Sequence, residues 1–134
     1  MIGIIVITHG ELAKGFLDAA RLIIGKQENV VPISLTEEDS VEGLKSQIEA
    51  AIEQIDQGEG ILLLVDLPGA TPFNISAELA LTREKTRVIT GVNLPMLLET
   101  TLSREMGSFE EIADIAKTSG IGSIRMLPEN ETGG

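Results

Sequence analysis

The chain has no cysteine, no tryptophan and no tyrosine, and its single histidine is His9. Without cysteine there can be no disulfide, no thiolate nucleophile and no sulfur-ligated metal. Three phenylalanines are the only aromatic residues, too few for a base-stacking surface that holds single-stranded nucleic acid. Positive charge is scarce as well: ten Lys and Arg stand against 21 Asp and Glu, a net charge of −11. Binding nucleic-acid phosphates or an anionic membrane needs a positive patch, so both partners are excluded on charge. A metal site built from one histidine would need several carboxylates close by, and no tight spacing of Asp, Glu and His supplies them. No apolar run approaches the ~18 to 20 residues that span a bilayer. The opening apolar run lacks a basic flank and meets Glu11 and Lys14 early, unlike a secretory signal. These absences predict a cytoplasmic protein with neither metal nor cofactor.

A length of 134 residues favours one domain with one well-buried core, predicted to span residues 1–128 with a frayed polar tail at 129–134. Residues 2–8 form a continuous β-branched apolar run, the pattern of a strand covered on both faces. Apolar residues at 12, 13, 16, 17, 20, 23 and 24 trace a helical stripe that Gly25 stops. Residues 29–35 read as a second strand, placed at an edge because Pro32 cannot donate a ladder bond. A second helix starts at Ser40 and ends at Gly58. Residues 60–66 are the most apolar run and read as a central strand. Thr71-Pro72 reads as a helix start, with Thr71 as N-cap and Pro72 in the first helical position. Residues 86–92 are a fourth strand, Asn93-Leu94-Pro95 opens a helix to about Glu105, and Ser108 to Glu111 is a capping box for a helix to about Lys117. A glycine-containing joint at 118–122 would lead to a short last strand at 123–127. Strands alternating with helices predict an α/β fold with an open, mostly parallel sheet and helices on both faces.

Right-handed crossovers, with Pro32 marking an edge, give the strand order 2-1-3-4. The direction of winding then reverses between strands 1 and 3, and ligands of open α/β sheets bind at such a reversal, beyond the carboxyl ends of the strands. His9 ends the first strand and Asp66 the third, so a lone imidazole and a carboxylate are predicted to be neighbours. The carboxylate can hold one ring nitrogen and fix the tautomer, freeing the other nitrogen to attack. Helix N-termini at about Gly10 and Thr71 would open into the same crevice and suit a phosphoryl group. Candidate phosphate-binding groups are therefore Thr71, Gly10, Gly69 and Ala70, with His9 as nucleophile and Asp66 as its orienter. Singly, each feature has a plain structural explanation: a surface histidine, a turn aspartate, an ordinary helix start. Their convergence is what points to chemistry. Other readings lack their marks, for there is no Walker pattern, no Ser/Thr-rich flavin loop after strand 1, and no second histidine or Arg-His pair of the phosphoglycerate-mutase kind.

With both loops in view, the chain resembles the IIA component of the mannose family of the sugar phosphotransferase system. The matching stretches are Ile4-Ile5-Val6-Ile7-Thr8-His9-Gly10-Glu11-Leu12-Ala13 and Asp66-Leu67-Pro68-Gly69-Ala70-Thr71-Pro72-Phe73-Asn74. A third, weaker match is Thr90-Gly91-Val92-Asn93-Leu94-Pro95-Met96. The resemblance implies that His9 takes a phosphoryl group from the phosphocarrier HPr and passes it to a IIB component, in support of sugar uptake. It implies Asp66 as the acidic partner of His9 and Thr71 as the hydroxyl near the phosphoryl group. It further implies a homodimer in which the last strand pairs with the other subunit's sheet. A chain ending at Gly134 would leave IIB to a separate protein, and membrane contact would be indirect, through IIC and IID. Three alternatives remain: a regulatory module that changes partners on phosphorylation, a bare protein–protein scaffold in which His9 is structural, and the phosphotransfer subunit of dihydroxyacetone kinase, which usually reads His-Ser where this chain has His9-Gly10.

Overall fold

Every second residue of the first strand serves a different core, and this sets the architecture. The computed structural model describes residues 1–129. Strands β1 (Gly3–His9), β2 (Val30–Leu35), β3 (Ile61–Val65) and β4 (Thr86–Ile89) form one parallel sheet in the order β2-β1-β3-β4. Helices α1 (Leu12–Ile24), α2 (Val41–Ile55), α3 (Thr71–Thr82), α4 (Leu94–Ser103) and α5 (Phe109–Gly122) cover it. Ile4 and Val6 of β1 pack with Leu62 and Leu64 under α1, α4 and α5. Ile5 and Ile7 pack with Leu63 and Val65 under α2 and α3. The alternation follows from the two-residue period of a strand. Because both faces are covered, β3 and β1 as far as Ile7 are apolar without interruption. Predicted fold class and strand order both agree with the structure.

The chain steps from β1 to β2 with α1 on one face, then returns past β1 to β3 with α2 on the other. That is the arrangement right-handed crossovers require. Winding reverses between β1 and β3, which lie in register with Ile7 opposite Val65. His9, at the end of β1, and Asp66, just past β3, therefore leave the sheet side by side. Pro32 sits in β2, an edge strand.

Five local expectations need correction. Ala70, not Thr71, is the N-cap of α3, so Thr71 and Pro72 are its first two residues; proline is tolerated anywhere in a first turn whose N–H groups lack intrahelical partners. β4 stops at Ile89 rather than Val92, because Gly91 turns the chain (φ 72°) and the Val92 N–H donates to the Val65 carbonyl at 3.1 Å. The fourth helix ends at Ser103, short of Glu105. Residues 118–122 are not a joint but the last turns of α5. Gly120 packs closely on α4: a Cβ on it would lie 2.8 Å from Met96 Cε, the movable end of that side chain, and 3.4 Å from Met96 Cβ. Residues 123–127 form no strand among the described residues, and the outer edge of β4 stays unpaired there. The tail expected at 129–134 falls, from residue 130 on, outside the described residues.

Candidate functional site

His9 is the last residue of β1, and it is held by its main chain as much as by its ring. Its backbone N–H donates to Asp66 Oδ2 at 2.9 Å, and its ring Nδ1 lies 2.9 Å from the same oxygen. The other carboxylate oxygen accepts the Leu67 N–H at 2.9 Å. Asp66 is thus bonded on both oxygens and only 11% exposed, while the His9 side chain is 48% exposed. Burial alone pushes the Asp66 carboxyl up. The His9 backbone N–H, the His9 ring and the Leu67 N–H together outweigh it and hold the group below the usual carboxylate range. An ionised carboxylate is acceptor-only, so it selects the Nδ1–H tautomer. The lone pair then resides on Nε2, for which no hydrogen-bond partner exists among the described residues.

Gly10 follows with φ 56°, a left-handed turn that a glycine takes without steric cost. Its N–H donates to the Leu35 carbonyl at 2.9 Å, so it is committed within the fold and does not face an incoming anion. Gly69 (φ 77°) and Ala70 close the turn before α3. Thr71 is half-buried at the start of α3, and its hydroxyl makes no hydrogen bond among the described residues.

The helix starts divide into two kinds. Ser40, Asn93 and Ser108 cap α2, α4 and α5 through their side chains. The N-caps of α1 and α3, Glu11 and Ala70, make no side-chain cap bond. These two helices are the ones that begin just after His9 and Asp66. At α3 the N–H groups of Thr71 and Phe73 have no partner among the described residues, and Pro72 has none to offer. An unfilled helix start of this kind presents donors and a positive dipole end to an anion.

Sequence reasoning overlooked Thr8. It is fully buried, accepts the Ala13 N–H on Oγ1 at 2.7 Å and donates to the His9 carbonyl at 3.2 Å. A signal was present: in a strand whose residues 4 and 6 face the core, residue 8 is the inward position and is polar.

The chain is a parallel α/β sheet whose strand-end histidine is oriented by a strand-end aspartate, and the comparisons place it within one family. The family described as "PTS system fructose IIA component" (EIIA-man) matches residues 3–117, so the chain belongs to the mannose-family EIIA components of the sugar phosphotransferase system. The "PTS system mannose-specific EIIAB component" of Escherichia coli (strain K12) is 35% identical over 127 residues, 94% of this chain but 39% of that protein. The chain thus spans well under half the length of that relative. The "PTS system sorbose-specific EIIA component" of Lacticaseibacillus casei is 35% identical over 109 residues, covering 81% of this chain and 78% of the relative. Among solved structures, phosphotransferase system component EIIA from Streptococcus agalactiae superposes with a TM-score of 0.88 at 34% identity, over 95% of this chain and 98% of that one.

Proposed function

We propose that residues 1–128 form a phosphocarrier domain of a phosphoenolpyruvate-dependent sugar phosphotransferase system, with His9 as the phosphoryl acceptor. The observation that carries this reading is the bond between Asp66 and His9 Nδ1 on an otherwise exposed ring. Nε2 attacks the phosphorus of phospho-HPr; the new N–P bond forms as the bond to the donor breaks. The phosphoryl group then leaves His9 for a IIB component by the same displacement. The ring gains positive charge as the N–P bond forms, and the Asp66 carboxylate faces that charge on Nδ1. Thr71, with the N–H groups at the start of α3, receives the phosphoryl oxygens, alongside the loop of Gly69 and Ala70. Gly10 contributes by shaping the turn. The step calls for positioning and charge stabilisation, and neither a metal nor a nucleotide enters it.

Exposed Leu12 and Leu67, three residues after His9 and one after Asp66, support transient docking of protein partners on this face. In this reading the chain acts in the cytoplasm as a homodimer and meets the membrane only through IIC and IID; no described helix is long and apolar enough to cross one.

Incubation with phosphoenolpyruvate, enzyme I and HPr is expected to add one acid-labile phosphoryl group, read by intact mass. His9→Ala abolishes it. A wild-type chain that takes no label, or a label that survives His9→Ala, overturns the proposal.

A further inference from the structure

Every backbone polar group around His9 is tied to a different part of the fold. Its N–H goes to Asp66 at the end of β3, and the next N–H, of Gly10, goes to Leu35 at the end of β2. The remaining group, the His9 carbonyl, accepts from the Thr8 hydroxyl. That hydroxyl also takes the Ala13 N–H at 2.7 Å. Ala13 is fully buried and stands in the first turn of α1, where an N–H has no intrahelical acceptor. Glu11, at the N-cap, does not supply one. Thr8 therefore caps α1 from within the strand and, with the same oxygen, clasps the carbonyl of the residue that carries the imidazole. Ala13 is beyond the reach of water, so without Thr8 its N–H is buried and unsatisfied, and the turn from residue 9 to residue 12 must shift to relieve it.

A shift there reaches the ring through one atom. Asp66 Oδ2 holds the His9 backbone and the His9 ring together, so main-chain movement at His9 lengthens one bond or the other and frees the imidazole to turn or change tautomer. We infer that Thr8 is a positioning residue for phosphoryl transfer at His9: its hydroxyl bridges strand and helix across the reactive residue and fixes the direction of Nε2. This deepens the phosphocarrier reading and rests on it.

The test compares Thr8→Val, which keeps the shape and loses the hydroxyl, with Thr8→Ser, which keeps the hydroxyl. Because His9 is the only histidine, a long-range proton–nitrogen correlation spectrum reports its tautomer without ambiguity. In Thr8→Val, transfer from phospho-HPr is expected to slow by about tenfold or more, with half-saturation by the donor nearly unchanged, since geometry and not docking is lost. Its ring is expected to show mixed tautomers where the wild type shows Nδ1–H alone. Thr8→Ser is expected to restore the rate to within about twofold and the single tautomer, because a serine hydroxyl has the same donor and acceptor capacity.

A Thr8→Val protein with wild-type rate and a single tautomer overturns the inference, as does Thr8→Ser slowed as much as Thr8→Val. If Thr8→Val does not fold, the Ser variant and amide exchange in the wild type decide. An Ala13 amide exchanging as fast as an exposed one shows that the clasp does not exist. A wild type that takes no phosphoryl label defeats the phosphocarrier reading, and the spectra still report whether Thr8 governs the His9 ring.

Discussion

At the scale of residues, the site rests on a single oxygen with two duties. Asp66 Oδ2 receives both the main chain and the ring of His9, so the carboxylate locates the imidazole and sets its tautomer together. Replacing Asp66 with Asn keeps the shape and a carbonyl acceptor but removes the charge that selects Nδ1–H. Transfer is expected to fall by roughly tenfold to a hundredfold with the fold intact, measured as the initial rate of His9 labelling beside a circular dichroism spectrum. Wild-type rates in Asp66→Asn would show that Asp66 does not orient His9. The same carboxyl couples the site to acid stability. Its folded-state pKa lies below the ordinary aspartate value of 3.8, so the unfolded chain takes up the proton first as pH falls. The Asp66 contribution is therefore complete above about pH 4 and is lost as pH drops through the lower, folded value. Urea titrations across this acid window are expected to show a shallower loss of stability in Asp66→Asn than in the wild type.

At the scale of elements, caps decide where helices begin and which remain open. Ser108 and Glu111 form a closed capping box at α5, legible in the sequence because all its atoms come from four consecutive residues. Asn93 was equally visible as a helix start, but half of its role was not. Its Oδ1 accepts the Met96 N–H at 3.0 Å, while its Nδ2 donates to the Gly120 carbonyl 27 residues away at 3.1 Å. The one side chain thus begins α4 and fastens the end of α5 to it. Asn93→Ala is expected to cost about 2 kcal/mol, a cap plus a long-range bond, against about 1 kcal/mol for Ser108→Ala. Urea unfolding of both variants checks this, and equal losses would mean that the Gly120 bond contributes nothing. Arg104, just past α4, serves the opposite end of the sheet. Only 4% exposed, it donates to the carbonyls of Ile2, Glu28 and Asn29, pinning the helix to the segments that lead into β1 and β2. Nothing local marks an arginine for such a position.

At the scale of the whole molecule, the sheet is finished on one side and open on another. Its two faces are covered, and β2 carries Pro32 at its edge. Beyond β4, however, lies a cavity of about 510 Å³ bounded by residues including Val88, Ile89, Met96 and Ile121. Ile124, Met126 and Leu127 follow α5 with their side chains largely exposed. An open strand edge and an apolar segment without a partner among the described residues support the homodimer proposed above. Sedimentation velocity is expected to give twice the chain mass, and replacing Ile124 and Leu127 together by Asp is expected to shift it to the monomer. A wild type sedimenting as a monomer at micromolar concentration would refute the dimer.

What the sequence by itself determined was whatever depends on period and neighbours: the strands, the helices, the strand order, and the loops that would carry His9 and Asp66. A two-residue or 3.6-residue repeat is written locally, and crossover handedness leaves few ways to assemble the pieces. Tertiary structure decided everything that needed a partner far along the chain. It made residues 118–122 helix rather than joint, with Gly120 packed against Met96 of α4. It left 123–127 without a strand among the described residues, although the outer edge of β4 is open. It also placed Asp66 Oδ2 between the backbone and ring of His9 and turned Thr8 inward to Ala13. A hydrogen bond is made or lost over a few tenths of an ångström, and only the packed molecule sets distances that finely.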